Sequence, residues 1–280
     1  MNLQEVQQHW HAFGKMDPMW AILTWPDRKD NKWQRDEFFQ TGVIEIDLVI
    51  QYIKSFGITI PRHRALDFGC GIGRLTQALA HYFEEVYGVD ISPSMIELAK
   101  KYNLHDNRCK YLLNDVDNLR VFNDNTLDFI YTNITLQHIE PQYSKNYIKE
   151  FLRILAPGGL LIFHLPELRP VHDGAPGNRY KQFIKGITPE ILLHFYRQVK
   201  ARRLEQPIME VYGIERAEIL RLLAEHGATI VDVRDAIEAT AEYMRRLGEH
   251  GIKVDSTLAE MHRTMAARRG IDLRYCVTKG

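Results

Sequence analysis

The sequence feature that most restricts the fold of this chain is a glycine-rich turn between an apolar run and a helical pattern. The segment ALDFGCGIGRLT, residues 65–76, has this form. Glycine is favoured where the backbone takes positive φ or approaches a ligand closely, and a helix that follows such a turn points its free N–H groups at that ligand. The segment therefore predicts a buried strand, a turn and a helix that together hold part of a nucleotide.

Strand and helix patterns alternate regularly after this turn. Strand patterns occur in RALDFG, EVYGVDI, KYLLND, TLDFIYTNI and LLIFHLP, with helical patterns between them, and two later segments, GATIVDV and DLRYCVTK, also read as strands. Regular alternation at this spacing predicts a mainly parallel sheet with helices on both faces. Ligands of such sheets bind at the carboxyl ends of the strands.

The spacing of the glycines argues against a dinucleotide site. The dinucleotide fingerprint G-x-G-x-x-G would need a third glycine at position 74, which is Arg74, and the glycines here are Gly69, Gly71 and Gly73. Asp67 precedes the turn by two residues. A carboxylate at that position is unhelpful beside a pyrophosphate but suits a ligand with positive charge, such as an α-ammonium or a sulfonium group.

Five segments in order resemble the motifs of the class I S-adenosylmethionine (SAM)-dependent methyltransferases. LDFGCGIGRL resembles the first motif, VYGVDIS the second, LLNDV the third and FIYTNITLQHI the fourth, and RILAPGGLLIF resembles the helix, turn and strand that follow. The resemblance covers residues 64 to about 165 well and the last two strands loosely. It implies a Rossmann-like α/β fold with a seven-stranded mixed sheet, its last strand antiparallel, sandwiched by helices.

The same resemblance implies a cofactor and the residues that bind it. The cofactor would be SAM, which becomes S-adenosyl-L-homocysteine on methyl transfer. Asp90 would accept hydrogen bonds from the ribose hydroxyls, Asp115 would bind the adenine amino group, and Val116 would pack against the ring. The predicted cofactor-binding residues are Asp67, Gly69, Cys70, Gly71, Gly73, Asp90, Ile91, Asp115, Val116 and Asn133.

Two histidines near strand ends are the candidate catalytic residues. A hydroxyl acceptor needs a general base, for which histidine is the commonest choice, whereas a neutral amine needs little help. His138 follows the fourth strand and would lie near the transferred methyl group, and His164 lies near the end of the fifth. Both also have a structural interpretation, as histidines that pack a loop or the core. His172–Asp173 is too small a set for a metal site, so no metal is predicted.

Changes of pattern along the chain predict four segments. Residues 1–62, which contain all four tryptophans, would form a helical N-terminal lid, and residues 63–165 would form the SAM-binding core. Residues 166–213 would be an insertion on the substrate side. Residues 214–280 would complete the core, with a helical insertion at 236–270. Because the core binds the cofactor, these additions are expected to recognise the acceptor.

Charge and cysteine content restrict the class of partner. Lys+Arg and Asp+Glu both number 36, which gives zero formal net charge, whereas nucleic-acid binders are usually basic. The 3 cysteines lack paired spacing, which fits a reducing cytoplasm, and no run of apolar residues is long enough to predict a membrane span. We therefore predict a cytoplasmic protein with a small-molecule substrate, no nucleic-acid or membrane partner, and a homodimer as one option.

Together these observations predict a methyltransferase that modifies oxygen or nitrogen of a small-molecule acceptor, natural products included. Three alternatives stay open at this point. The acceptor could be a peptide, a protein or an RNA; the chain could be a SAM-binding partner protein without turnover; or it could be a nicotinamide enzyme.

Overall fold

The computed structural model of the chain describes residues 1–167, 207–254 and 271–280. The N-terminal part is helical, as predicted. It contains three α-helices and a short 3₁₀ turn at Pro26–Arg28. The three helices are α1 (Leu3–Met16), α2 (Pro18–Ile22) and α3 (Arg35–Ser55).

Seven strands in the described ranges form one mixed sheet. Their order is β3-β2-β1-β4-β5-β7-β6; the pairs from β3 to β5 are parallel, and β7 runs antiparallel to both β5 and β6. The predicted fold class, with its antiparallel last strand, is confirmed. The strands are β1 (Arg64–Phe68), β2 (Glu85–Asp90), β3 (Cys109–Leu113), β4 (Leu127–Thr132), β5 (Leu155–Glu167), β6 (Ala228–Asp235) and β7 (Ile271–Lys279).

Helices cover both faces of this sheet, and local sequence signals begin some of them. Ser92 caps the helix after β2 by accepting a hydrogen bond from the backbone N–H of Met95, and Pro93 takes the first helical position. The remaining described helices are α4 (Arg74–Leu79), α5 (Pro93–Lys101), α6 (Pro141–Ile154), α7 (Arg216–Glu225) and α8 (Ala236–Glu249).

The order in which the strands are added to the sheet reverses between β1 and β4, and the site lies at this reversal. β1 pairs with β2 on one side and with β4 on the other, so the chain after β3 crosses back over β1. Such a reversal leaves a crevice at the carboxyl ends of the two central strands. The glycine-rich turn follows β1 directly and therefore borders this crevice.

The N-terminal helices pack on the sheet and on its loops. Ile46, Val49 and Ile53 of α3 belong to one buried apolar cluster with Ala65 of β1 and Phe129 of β4. A second cluster joins α1, α2 and the aromatic residues between α2 and α3 to the glycine turn and α5; it includes Phe13, Trp25, Trp33, Phe38, Ile72 and Met95. The buried area fixes the N-terminal part over the crevice.

Parts of two predicted insertions lie outside the described residues. These parts are 168–206, which includes His172–Asp173, and 255–270. The predicted division of the chain into four segments stays a prediction. Among the helices that are described, none has the length and apolar character that crossing a bilayer requires.

Candidate cofactor and acceptor cavity

The turn after β1 has a backbone shape that requires glycine at two positions facing other elements. Gly69 and Gly71 have φ of +79° and +53°, which side chains rarely adopt. A Cβ atom on Gly69 would lie 2.2 Å from Oγ1 of Thr135, and one on Gly71 would lie 2.5 Å from Cδ1 of Ile22 in α2. The turn is therefore closely covered, by the loop after β4 at one glycine and by α2 at the other.

Asp90, the last residue of β2, ties this turn to the neighbouring strand. Its Oδ2 accepts a hydrogen bond from the backbone N–H of Gly71 at 2.8 Å, and its Oδ1 accepts one from the N–H of Ser92 at 2.8 Å. Burial raises the pKa of Asp90 to about 6 although both N–H groups favour the carboxylate. At neutral pH the side chain is mostly ionised, with lone pairs left for a ligand's hydroxyl groups.

A cavity of about 710 Å³ opens at the carboxyl ends of the central strands. Its volume lies within the range of ligand pockets, roughly 300–1,000 Å³. The structure brings eight of the twelve predicted site residues to its wall: Gly69, Cys70, Gly71, Asp90, Ile91, Asn133, His138 and His164.

Asp67 is one of the four predicted residues that do not line the cavity. Its side chain is only 1% exposed, and its Oδ2 accepts a hydrogen bond from Oγ1 of Thr76 in α4 at 2.6 Å. Burial raises the pKa of Asp67 to about 7. The carboxyl group thus lies behind the turn, where it does not directly face a ligand.

The other three are Gly73, Asp115 and Val116. Gly73 caps α4, where a Cβ atom would lie 2.4 Å from the hydroxyl oxygen of Tyr111. Asp115 and Val116 follow β3 on the exposed side of the loop, and Val116 is 47% exposed. Both stand outside the cavity wall, so the predicted adenine contacts remain predictions.

Asn114 takes a place on the wall that sequence reasoning missed. It follows β3 directly, lines the cavity, and donates from Nδ2 to the carbonyl oxygen of Val116 at 2.8 Å. Tyr147 of α6 donates from its hydroxyl group to the same carbonyl at 2.6 Å. The position of Asn114 at the end of a predicted strand was the signal that could have identified it.

Glu45 of α3 is a second wall residue that sequence reasoning missed. Its Oε1 accepts hydrogen bonds from the Tyr131 hydroxyl group at 3.0 Å and from Nδ2 of Asn133 at 2.8 Å, and its Oε2 accepts one from Arg74 at 2.7 Å. Arg74 is 4% exposed, so the ion pair is buried. Glu45 thereby orients Asn133 at the cavity and joins α3 to the start of α4.

His138 lies on the cavity wall with both ring nitrogens in hydrogen bonds. Its Nδ1 lies 2.7 Å from the carbonyl oxygen of Glu210, and because a carbonyl only accepts, Nδ1 carries the proton. Nε2 then holds the lone pair and accepts from the side-chain amide of Gln137 at 3.1 Å. The Trp10 ring packs edge-on against the imidazole at 5.5 Å. The ring is thus held in the tautomer that a base at Nε2 requires.

His164 lies deeper in the sheet, on β5. Its side chain is 10% exposed, and its Nε2 is 3.8 Å from Oδ1 of Asp272. Nδ1 is buried and has no hydrogen-bond partner in the described part of the chain. Burial lowers the pKa of His164, and the ring is therefore neutral at pH 7. Because Nδ1 is sealed from solvent, His138 is the better placed of the two candidate bases.

The N-terminal helices close the apolar side of the cavity. Two polar contacts hold α1 on the loop after β2: Gln7 donates to the carbonyl oxygen of Ile91 at 3.1 Å, and the Ser94 hydroxyl group donates to that of His11 at 2.8 Å. The apolar lining from α1, α2 and the residues just after α2 consists of Leu3, Val6, Trp10, Ala21, Ile22, Leu23 and Trp25. A ligand in the cavity therefore meets a polar end at the glycine turn and a largely apolar chamber beyond it.

The described ranges contain no group of three His, Cys, Asp or Glu side chains arranged to hold a metal ion. All three cysteines are buried and free. His172–Asp173, considered above as a metal pair, falls outside these ranges.

Comparison with known proteins matches this core to one family. Residues 66–163 match the family model described as a methyltransferase domain. The matched residues begin inside β1 and end inside β5, so they contain the glycine turn, Asp90, Asn133 and His138.

Curated relatives share this core but differ in the acceptor that they are named for. One is a tRNA N(3)-methylcytidine methyltransferase of Drosophila melanogaster, 29% identical over 143 residues, which are 48% of this chain and 41% of the relative. Another is a malonyl-[acyl-carrier protein] O-methyltransferase of Priestia megaterium, 35% identical over 100 residues, which are 35% of each chain. The chain thus spans less than half the length of either relative.

A solved structure agrees over nearly the whole chain. It is the magnesium protoporphyrin IX methyltransferase of Synechocystis PCC 6803 with bound S-adenosyl-L-homocysteine, with a TM-score of 0.55, 16% identity, and coverage of 98% of each chain. At this level of identity the likeness concerns the fold.

Proposed function

We propose that this chain, whose core is a class I SAM-dependent methyltransferase domain, transfers the methyl group of SAM to an oxygen or nitrogen atom of a small-molecule acceptor. The observation that carries the proposal is the placement of the glycine turn and Asp90 at one end of a cavity that α1 and α2 cover with apolar side chains. One end suits a nucleoside, and the other suits an organic acceptor.

The residues present fit SAM by their chemistry. The carboxylate of Asp90 is held by two backbone N–H groups and offers further lone pairs to hydroxyl groups, and Gly69 and Gly71 line the same end of the cavity. Ile91 and Asn114 add an apolar and an amide contact at the same end. When bound, SAM supplies an electrophilic methyl group on a sulfonium.

The chain's own part in the reaction would be positioning, exclusion of water and proton removal. Methyl transfer is an in-line displacement, so alignment of the two reactants within the cavity accounts for much of the rate. Asn133, fixed by Glu45, would orient the cofactor end. For a hydroxyl acceptor, Nε2 of His138 would take the proton after Gln137 gives up its hydrogen bond.

The apolar cover that α1 and α2 place over the cavity supports a small acceptor over a polymer. An RNA substrate needs a basic surface, and the chain has zero formal net charge. The likeness to a tRNA methyltransferase nevertheless favours RNA as the second candidate. The predicted cytoplasmic location and homodimer belong to the proposal as well.

One experiment separates these candidates. The full chain is incubated with deuterated-methyl SAM and, in separate reactions, a metabolite extract, total tRNA and a peptide mixture, and products are identified by mass spectrometry. We expect label in a small metabolite only. Label in tRNA or peptide would show that the acceptor is a polymer and not a small molecule. SAM binding by calorimetry without any labelled product would support a partner protein without turnover. Binding of NAD(H) without binding of SAM would contradict the assignment of SAM as the cofactor.

A further inference from the structure

The cavity wall built by α3, β6 and β7 carries two arginines against one tyrosine ring. The guanidinium carbon of Arg274 lies 4.0 Å from the ring centroid of Tyr52, and that of Arg234 lies 4.8 Å from it. All three side chains line the cavity. We call Tyr52, Asp232, Arg234 and Arg274 the arginine wall.

Asp232, the carboxylate of the arginine wall, is paired with Arg234 and Tyr52. Arg234 donates from Nε to Oδ2 of Asp232, and the Tyr52 hydroxyl group donates to the same oxygen at 2.6 Å. Arg274 has no carboxylate within ion-pair distance in residues 1–167, 207–254 and 271–280, and its Nε is buried without a hydrogen-bond partner. A guanidinium stays charged at any physiological pH, so Arg274 presents a positive charge that no carboxylate of the described residues pairs directly.

The other acidic residues that line the cavity near this wall are directed elsewhere. Glu45 is saturated by the network described above. Asp272 is 44% exposed, and its Oδ1 lies 3.8 Å from Nε2 of His164. Glu242 accepts a hydrogen bond from Arg245 of the same helix. None of the three supplies the missing partner of Arg274.

The way in which Arg274 is held suits recognition of a planar oxyanion. A guanidinium stacked on an aromatic ring keeps its plane fixed, which leaves its edge donors for a second, bidentate partner. The cross-strand neighbour of Arg274 in the β5–β7 register is His164, whose ring is neutral because burial lowers its pKa. His164 therefore adds no second positive charge, and the single charge of Arg274 matches a carboxylate better than a doubly charged phosphate.

The sheet sets the distance from Arg274 to the cofactor end. Arg274 lies on β7, which is two strands from β4 and three from β1. With strands about 4.8 Å apart, the lateral separations are roughly 10 Å and 14 Å. A group bound by Arg274 would therefore sit well away from the reacting atom, at the far end of an apolar chamber.

We propose that the methyl acceptor carries a carboxylate that Arg274 binds, separated by an apolar body from the oxygen or nitrogen atom that receives the methyl group. This inference rests on the proposed function, since it names the acceptor class of the same cavity. Arg274 acts as a specificity residue and takes no part in proton transfer.

Binding is tested first because it needs no turnover. The probes are 4-hydroxyphenylalkanoic acids of increasing chain length, the matching primary carboxamides, and the matching alkyl phosphate monoesters. Each is titrated calorimetrically into the full chain saturated with S-adenosyl-L-homocysteine. We expect at least one acid to bind about tenfold tighter than its carboxamide, because it alone forms a charge-assisted hydrogen bond. Equal affinity of acid and carboxamide at every length would overturn the proposal. Tighter binding of the phosphate monoester would overturn the choice of a carboxylate as the bound anion.

Variants of Arg274 assign the preference to its side chain. In Arg274→Gln the acid and the carboxamide should bind within about threefold of each other, and Arg274→Lys should restore part of the preference because it keeps a charge without the planar fork. Arg221→Gln, an exposed arginine on α7, is the matched control and should keep the wild-type ratio. An unchanged ratio in a folded Arg274→Gln or Arg274→Lys protein would sink the assignment.

Turnover separates this inference from the proposed function. Products labelled by deuterated-methyl SAM in a metabolite extract are fractionated by anion exchange, and we expect them in the retained fraction. Labelled products found only among neutral or cationic metabolites would agree with the methyltransferase proposal but contradict the proposal that the acceptor carries a carboxylate. If no product forms, methyl transfer fails, whereas the calorimetric preference for acids and its loss in Arg274→Gln still decide whether the anion site exists.

Discussion

Glu45 and Arg74 form a buried ion pair at 2.7 Å that joins the N-terminal helix α3 to the first helix of the core. Glu45 also accepts from Tyr131 and Asn133, so one carboxylate holds an arginine, the end of β4 and a residue of the cavity wall. Arg74 is the residue that breaks the dinucleotide spacing. Its role in this structure is to bind α3 through the ion pair with Glu45.

Glu45→Gln should destabilise the protein strongly. Removing one member of a buried pair leaves the other charge unpaired, which costs about 3–5 kcal/mol, and Gln cannot accept from Arg74 and Asn133 with both of its terminal atoms. The measurement is guanidinium denaturation followed by tryptophan fluorescence. Glu218→Gln, which removes a surface pair with Lys145, is the control and should cost less than about 1 kcal/mol. Similar effects of the two changes would contradict a buried role for Glu45.

Asp90→Ala should weaken SAM binding by one to three powers of ten, because it removes an ionised acceptor worth about 1.5–3 kcal/mol per hydrogen bond. The pKa of Asp90 near 6 adds a pH dependence: the carboxylate is the binding form, so wild-type affinity should fall as the pH drops below about 6. Calorimetry between pH 5 and pH 8 measures both effects. The exposed Asp106→Asn serves as control, and unchanged affinity in Asp90→Ala would refute the ribose assignment.

His138→Ala should distinguish a hydroxyl from an amine acceptor. If Nε2 removes a proton, kcat should fall about a hundredfold or more while the dissociation constant of SAM stays within about threefold. The pH–rate profile should also lose the limb that reports the imidazole. His250→Ala, at an exposed histidine after α8, controls for the loss of a ring. An unaltered rate in a folded His138→Ala enzyme would indicate an acceptor that needs no base. It would support the structural interpretation of His138, as a residue that packs the loop.

Substitution by alanine should change the free energy of unfolding in opposite directions at two helical glycines. A Cβ atom on Gly42 of α3 would lie 2.4 Å from the carbonyl oxygen of Arg74, so Gly42→Ala must push two helix backbones apart and should cost about 1–3 kcal/mol. Gly248 of α8 has no atom within 4 Å of such a Cβ, so Gly248→Ala should gain about 0.5–1 kcal/mol through helix propensity. Denaturation midpoints measure both, and a neutral Gly42→Ala would show that α3 and α4 are less closely packed.

Asp67→Asn should remove a pH dependence of stability. The pKa of Asp67 is raised to about 7 in the folded protein, so the folded state binds a proton more tightly than the unfolded state does. The contribution of Asp67 to stability is therefore greatest at acid pH and is lost as the pH rises from its ordinary pKa to about 7. Asparagine keeps an oxygen for Thr76 without a charge, so the variant should gain on the wild type, by on the order of 1–4 kcal/mol, between pH 5.5 and pH 8. A constant difference in unfolding free energy across this range would argue against the shift.

The fold could be predicted because its signals are local and repeated. The cap at Ser92 and the apolar strand runs act within a few residues, and the regular alternation left few topologies. Where local signals are weaker, the pattern is less accurate: Leu75, Leu79 and Phe83 in GRLTQALAHYF recur at helical spacing and predict a helix to Phe83, but α4 ends at Leu79. The helix ends there in a tighter turn, because the backbone N–H groups of His81 and Tyr82 donate to carbonyl oxygens three residues earlier.

The cavity wall was predicted in part because its chemistry depends on which way side chains point. Leu66, Asp67 and Phe68 are all buried, since a central parallel strand is covered on both faces, and alternation therefore could not tell that Asp67 faces Thr76. Glu45 could not be assigned from its surroundings in sequence, because its partner Arg74 lies 29 residues away on another helix. Both outcomes follow from tertiary packing that no short segment encodes.

The packing of α3 has a consequence for recombination between related enzymes. Ile46, Val49 and Ile53 lie in the same apolar cluster as the strands, and Glu45 depends on Arg74 for its counter-charge. The covering helices of this protein and its catalytic core are therefore not interchangeable parts. A chimera that transplants α3 onto a foreign core would carry Gly42 and Glu45 with it, and that core would have to supply an arginine at the position of Arg74.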